Sequence, residues 1–286
     1  MIEFRGVSFA YPATSGPALS EVDLSVPAGQ VCGVVGASGA GKSTLAAAIA
    51  GMVPHVTGGA LTGSVTVAGR SVAGTPLAEV VTDVGLVVQD PFNQMSGAKF
   101  TVREELAFGL ENLGVERAEM VRRIEEVLSA LGIGHLAERS PFTLSGGQQQ
   151  LVAIGAVLVM RPRVVVLDEP TSQLDPDSAS LVFGALDALR RDGITVVLVE
   201  HRTERLAELA DRVVVLAGGR VVADGAPAEV FTDPRLPGLG VSTTRYTRAA
   251  RRAAERGLWP RERPLPVLLP EAVSGFSVPA AADPRA

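Results

Sequence analysis

Three short runs, "QVCGVVG" (30–36), "VVVLDE" (164–169) and "TVVLVE" (195–200), are apolar or β-branched almost to their last position. Continuous apolar runs of this length suit strands buried on both faces of a parallel sheet, and each is followed by a segment compatible with a helix. That order predicts an α/β sheet domain. The stretch 101–159 departs from it. There "TVREELAFGLENLGV", "ERAEMVRRIEEVLSALGI" and "SGGQQQLVAIGAVLV" read as consecutive helices, which predicts a helical subdomain over about 95–160 inserted into the sheet domain. Farther on, "DRVVVLAGGRVVADG" (211–225) places two β-rich runs around a Gly-Gly pair, a hairpin pattern. No repeat with a period of 20 to 50 residues is visible.

Composition changes this picture at the ends. Hydrophobic residues make up 47% of 286, yet the longest uninterrupted apolar run, Leu151 to Met160, has ten, about half of what a membrane helix needs. The start, "MIEFRGVSFAYP", has neither a basic nor an apolar leader segment, so the expected location is the cytoplasm. Cys32, the single cysteine, lies in an apolar run and reads as an inert buried thiol. Between Arg245 and Arg263 seven arginines meet two glutamates, so the rest of a chain of net −5 carries −10 and broad nucleic-acid binding is not expected. Arginines 245, 248, 252 and 256 recur at helical spacing, either a solvated face or a contact for a partner or acidic lipids. From Pro260 onward six prolines in 27 residues predict extended chain with a disordered end. The division expected is 1–235 for the main domain and 236–286 for a C-terminal appendage.

Candidate chemistry centres on "GASGAGKST" (Gly36 to Thr44), placed after one apolar run and before the alanine-rich "LAAAIAGM". It matches the phosphate-binding loop G-x-x-x-x-G-K-[ST]. From Gly36 through Ser38, Gly39 and Gly41 the backbone can curl its N–H groups round phosphates, and Thr44 closes the motif. Lys42 reaches the β/γ-phosphates as a point charge, and the Ser43 hydroxyl is offered to Mg²⁺. Asp168, ending the strand "VVVLDE", is placed to hold the same ion. Beside it, Glu169 is the candidate general base for an attacking water. In "FTLSGGQQQ" (142–150), Ser145, Gly146, Gly147 and Gln148 open a helix whose unpaired N–H donors and positive dipole end suit an anion.

"LSGGQ", with the phosphate-binding loop upstream, "VVVLDEP" 19 residues after Ser145, "SQLD" (172–175) and His201 closing "VLVEH", makes residues 1–230 resemble the ATPase subunits of ABC transporters. The resemblance implies a P-loop NTPase fold of ABC ATPase type with ATP and Mg²⁺ bound. It also implies two such domains paired head to tail, the signature helix of one capping the γ-phosphate held by the other. Gly147→Asp would on this view oppose closure. Gln89 in "LVVQDP" is then the residue touching Mg²⁺ and water, Asp175 lies in the loop facing the partner, and His201 contacts the γ-phosphate. Tyr11 takes the adenine-stacking position, although from the sequence alone it reads almost as well as a core aromatic. "FAYP", "VVQDPFNQM" and "VEHR" look like the ATPases of energy-coupling factor (ECF) importers for vitamins and transition-metal ions, with the ordinary binding-protein-dependent ABC importer as the competing branch. The implied partners are a second ATPase subunit, identical or different, a transmembrane coupling subunit and a membrane substrate-binding subunit. The implied place is the cytoplasmic face of the cell membrane. Two positions depart from the family pattern, Leu151, where a charged residue is usual, and Gln173. Neither is a catalytic group.

Overall fold

The computed structural model describes residues 1–14, 16–260 and 262–277. Strands β1 (Ile2–Ala10) and β2 (Leu19–Val26) form an antiparallel pair, and β3 (Val31–Gly36) follows with all six residues buried. Helices α1 (Lys42–Ile49) and α2 (Met52–His55) lead to β4 (Ala60–Val67) and the short β5 (Arg70–Ser71). These close a four-stranded antiparallel sheet in the order β2-β1-β4-β5. Of these strands only β3 has an uninterrupted apolar run to announce it, although β2 alternates: Leu19, Val22, Leu24 and Val26 are buried while Glu21, Asp23 and Ser25 are exposed. Such alternation marks a sheet with one face on the core and one in water.

Helix α3 (Leu77–Asp83) enters β6 (Val84–Val87), and the chain then leaves the sheet for α4 (Val102–Asn112), α5 (Arg117–Ala130) and α6 (Gly146–Leu158), with no strand among these residues. A reciprocal Thr101/Glu104 capping box starts α4, and Val102, Leu106 and Leu110, at spacing four, bury one face of it. The chain returns through β7 (Val164–Asp168), α7 (Pro176–Arg191), β8 (Thr195–Val199), α8 (Thr203–Leu209), β9 (Arg212–Ala217) and β10 (Arg220–Gly225). Six strands line up as β10-β9-β3-β8-β7-β6, parallel except for β10, which forms the hairpin with β9 through Gly218 and Gly219. Period two sorts this sheet's residues into two cores. Val35, Val165, Leu167, Val196 and Leu198 face the helical insertion and α7, while Val34, Val166, Val197 and Val199 face α1 and the antiparallel sheet. Leu151 belongs to the first core, so its side chain is a buried apolar contact. Gln173 is exposed.

After α9 (Pro227–Phe231) come α10 (Arg245–Glu255) and α11 (Leu269–Phe276). Helix α11 corrects the expectation of extended chain from Pro260 onward. Pro270 sits in its first turn, where the missing N–H is no loss, and Glu271 accepts from the backbone N–H groups of Val267 and Leu268. Trp259 packs so closely on Gly275 that a Cβ there would lie 1.9 Å from the indole. The disordered end expected from 278 lies outside the described residues. Arginines 245, 248, 252 and 256 are exposed, and Arg245 meets Glu204 of α8. Burial pushes the Cys32 thiol up to about 12, which suits an inert core residue. Among the described residues no helix is long and apolar enough to cross a membrane.

Candidate nucleotide site

The loop from β3 to α1 is shaped by its own backbone. A Cβ at Gly36 would lie 2.4 Å from the Leu216 carbonyl oxygen, and one at Gly41 2.5 Å from that of Ala18, so both positions exclude any side chain. Gly41, at φ 102, also takes a conformation that L-residues rarely adopt. It caps α1 without a side-chain hydrogen bond, leaving the first-turn N–H groups free for an anion. Lys42 is buried, and its Nζ donates to the carbonyls of Gly36 and Ala37, each at 3.0 Å, and lies 4.0 Å from Glu169 Oε1. The turn of the β9–β10 hairpin braces the loop from below, Gly219 N–H donating to the Ala40 carbonyl.

Strand register brings the acids and the histidine to the same edge. Asp168 of β7 pairs with Val199 of β8, so Glu169 and Glu200 leave neighbouring strand ends side by side. Glu169 has φ 50, a strained backbone for a glutamate that costs on the order of 1 kcal/mol or more. Its Oε1 lies 2.8 Å from His201 Nε2. Burial raises the Asp168 carboxyl above the usual carboxylate range, with the Ser43 hydroxyl pulling the other way, and its Oδ1 is buried without a partner. An orphaned carboxylate oxygen beside a serine hydroxyl is a donor set that suits Mg²⁺. Ala18, Ser38, Gly39, Gly41, Lys42, Ser43, Thr44, Gln89, Glu169 and His201 together line a cavity of about 480 Å³. Tyr11 stands beside it, with its hydroxyl 3.2 Å from Thr44 Oγ1 and its ring edge-on to Phe9 at 4.8 Å.

Several supporting groups escaped the sequence reading. The side-chain amide of Gln94 clamps the strand leading to Gln89, accepting from Val88 N–H and donating to the Leu86 carbonyl. Glu200, 2% exposed, accepts from the backbone N–H of His201 and of Arg202. Its signal was an acid next to the histidine in "VLVEH". The Ala18 carbonyl gave none, because a backbone contact from 23 residues upstream leaves no mark in a motif.

The signature stretch lies elsewhere. Ser145 caps α6 in a reciprocal box with Gln148, at 3.4 and 3.2 Å, and neither they nor Gly146 and Gly147 line the cavity. Gly146 is exposed, with nothing within 4 Å of a Cβ built on it, but a Cβ at Gly147 would meet Ser178 Oγ at 2.4 Å. Gly147 therefore has a packing role inside its own chain, and Gly147→Asp would disturb the fold before it could disturb a partner. Asp175 caps α7, accepting from the N–H groups of Asp177 and Ser178 and from the Ser178 hydroxyl, and these bonds hold its carboxyl below the usual range.

The family model described as ABC transporter matches residues 19–172, more than half of the chain. A Pyrococcus abyssi protein named as an ABC transporter ATP-binding protein is 44% identical over 260 residues, covering 90% of this chain and 92% of that protein. Relatives of the same description from Streptomyces coelicolor and Streptomyces avermitilis are 48% and 47% identical over 84% and 82% of this chain. The chain spans 43% and 41% of the length of those two. Among solved structures, cbiO1 of Clostridium perfringens, part of the ABC transporter complex cbiONQ, aligns with a TM-score of 0.73 at 28% identity over 89% of this chain and 94% of its own. The ATP-binding cassette MJ0796, a dimer in a post-hydrolysis state bound to ADP and Pi, aligns with a TM-score of 0.70 at 26% identity over 79% of this chain and 99% of its own. With a family model covering its phosphate loop through the strand end at Asp168, and a relative matched almost end to end, the chain belongs to the ABC transporter family and carries its ATPase domain.

Proposed function

We propose that this chain binds and hydrolyses ATP as one of two ATPase subunits that power a membrane importer. The observation that carries the reading is a division of labour on the surface: the phosphate loop, Gln89, Glu169 and His201 share one cavity, and no signature residue reaches it. The site is then half of one, and a second chain docked head to tail supplies Ser145, Gly146 and the α6 entrance over the γ-phosphate. On ATP entry Lys42 exchanges its two carbonyl partners for phosphate oxygens. Glu169 takes the proton of the attacking water, and His201 holds that carboxylate and meets the γ-phosphate. Ser43, Asp168 and Gln89 would hold Mg²⁺, which when bound neutralises charge on the phosphates. Tyr11 offers its ring to adenine.

The ECF branch is supported by the alignment with cbiO1, which covers 89% of this chain. Three positions after Gln89, Phe92 is 58% exposed and meets Phe142, 46% exposed, with ring centroids 6.0 Å apart, an apolar patch suited to a transmembrane coupling subunit at the cytoplasmic membrane face. The test of the shared site mixes Lys42→Ala with Gly146→Asp, the latter in open space. A mixed dimer has one doubly damaged and one intact site if the motifs meet in trans, so ATPase activity should rise above that of either variant alone. No rise despite verified mixed dimers discards the trans site. Co-purification decides the branch: a small membrane substrate-binding subunit supports ECF, whereas a soluble substrate-binding protein points to the ordinary importer.

A further inference from the structure

His201 is flanked by Glu200, which is buried, and Arg202, which is half-buried. Glu200 N–H donates to the Val34 carbonyl at 3.4 Å, which fixes the strand end, and the carboxylate then takes three donors: His201 N–H at 2.7 Å, Arg202 N–H at 3.1 Å and the Thr171 hydroxyl. No cation pairs with it among the described residues. Arg202 has no carboxylate partner there either; its Nη2 donates to the carbonyls of Thr171, at 3.3 Å, and Leu174, at 3.2 Å. Three successive side chains thus grip the loop after β7 at different points: Glu200 at the Thr171 hydroxyl, His201 at Glu169 and Arg202 at two backbone carbonyls. A carboxylate buried on three donors is costly to disturb, and a guanidinium spanning two carbonyls fixes orientation where a point charge would not.

We infer that Glu200 and Arg202 are positioning residues for hydrolysis, locking His201 and the loop 169–175 into one body so that the imidazole stays on Glu169. This rests on the reading of Glu169 and His201 as the hydrolytic pair. Without Glu200 the N–H groups of 201 and 202 lose their anchor, and His201, which is exposed at its side chain, has a single remaining tie at Glu169. Without Arg202 the carbonyls of Thr171 and Leu174 lose the bonds that hold the loop leading to Asp175.

Glu200→Gln keeps the side-chain volume but removes the charge that three donors share and replaces the oxygen that meets the Thr171 hydroxyl by an NH₂ group. In the assembled ATPase it should lower kcat by about ten- to a hundredfold, the scale of a catalytic group displaced by an ångström or less. ATP affinity, read with a fluorescent ATP analogue, should stay within about twofold, since the phosphate loop is untouched. The imidazole ¹⁵N resonances of His201, picked out among three histidines by comparison with His201→Gln, should shift. Glu200→Asp should recover part of the rate. A folded Glu200→Gln with kcat within about twofold of wild type, or one whose kcat falls while the His201 resonances stay in place, overturns the inference. If Glu200→Gln does not fold, Arg202→Lys decides by the same two readouts. Normal turnover in Glu169→Gln would instead discard the hydrolytic pair itself, whatever the Glu200 variants do.

Discussion

The chain has two glycine-rich helix entrances, at α1 and at α6, and they are built differently. At α1 the helix start has no side-chain cap, a buried lysine stands beside it, and Gly36 and Gly41 are forced by carbonyl oxygens of their own chain. At α6 Ser145 and Gln148 cap each other, Gly147 makes room for Ser178, and Gly146 faces open space. A glycine before a helix can therefore mean close backbone approach, helix packing, or a surface left bare. The α1 entrance has a cation and free donors within one chain. The α6 entrance has part of its donor set already in use and no lysine or arginine in its first turn, so it offers fewer of the groups an anion site needs.

Changes at the two entrances separate these roles. The largest effect is expected in the cavity that belongs to α1: Glu169→Gln should keep ATP binding and lose turnover by about 10²- to 10⁴-fold, the usual scale for a general base. Steady-state phosphate release alongside nucleotide titration checks this. Next, Lys42→Ala should weaken ATP binding by about a hundredfold in a chain that still folds, since a charge-assisted contact of about 1.5–3 kcal/mol goes with the ammonium. Unchanged affinity in a folded variant would remove the phosphate loop from the site. At α6 the comparison moves from binding to stability. Gly147→Ala should destabilise the monomer by about 1–3 kcal/mol through overpacking against Ser178, whereas Gly146→Ala should stay within about 0.5 kcal/mol, and paired urea titrations separate them. Equal costs at the two glycines would break the distinction drawn between packing and bare surface. Below the Gly147 cost, Ser145→Ala removes a long cap bond of 3.4 Å and should cost about 0.5–1 kcal/mol, visible as a small drop in Tm.

Much of this was readable in the residues. The buried strands at 31–36, 164–168 and 195–199 fall within the runs whose lack of alternation predicts them, and α4, α5 and α6 fall within the three stretches read as helices. Missed were β1, β2, β4, β5 and β6, because β1, β2 and β4 set polar, charged or glycine residues among their buried ones and look like loop when scanned for apolar runs, while β5 and β6 have only two and four residues. Helix α11 was hidden by prolines, of which Pro270 stands where a helix tolerates one. In the candidate site the residues with motif spacing were found, and their supports were not. Arg202 and Gln94 act through backbone atoms of other segments, Glu200 through its neighbours' N–H groups and the Thr171 hydroxyl, and no spacing rule records such contacts.

By itself, the sequence determined which segments are buried and which residue types carry charge toward a phosphate. Both follow from local patterns: uninterrupted apolar runs make parallel strands, and glycines, a lysine and a serine at fixed spacing make a loop whose N–H groups can converge. Only the tertiary structure decided which glycine is free and which is packed, since Gly147 meets Ser178 from a helix 31 positions on and Gly36 meets Leu216 from a strand 180 positions on. It also decided that Glu169 turns to His201 under a strained φ, and that the 200–202 run grips the loop beside it. The physical reason is sheet register. Parallel strands from distant parts of the chain set their ends side by side, and the side chains there meet neighbours that no local pattern names.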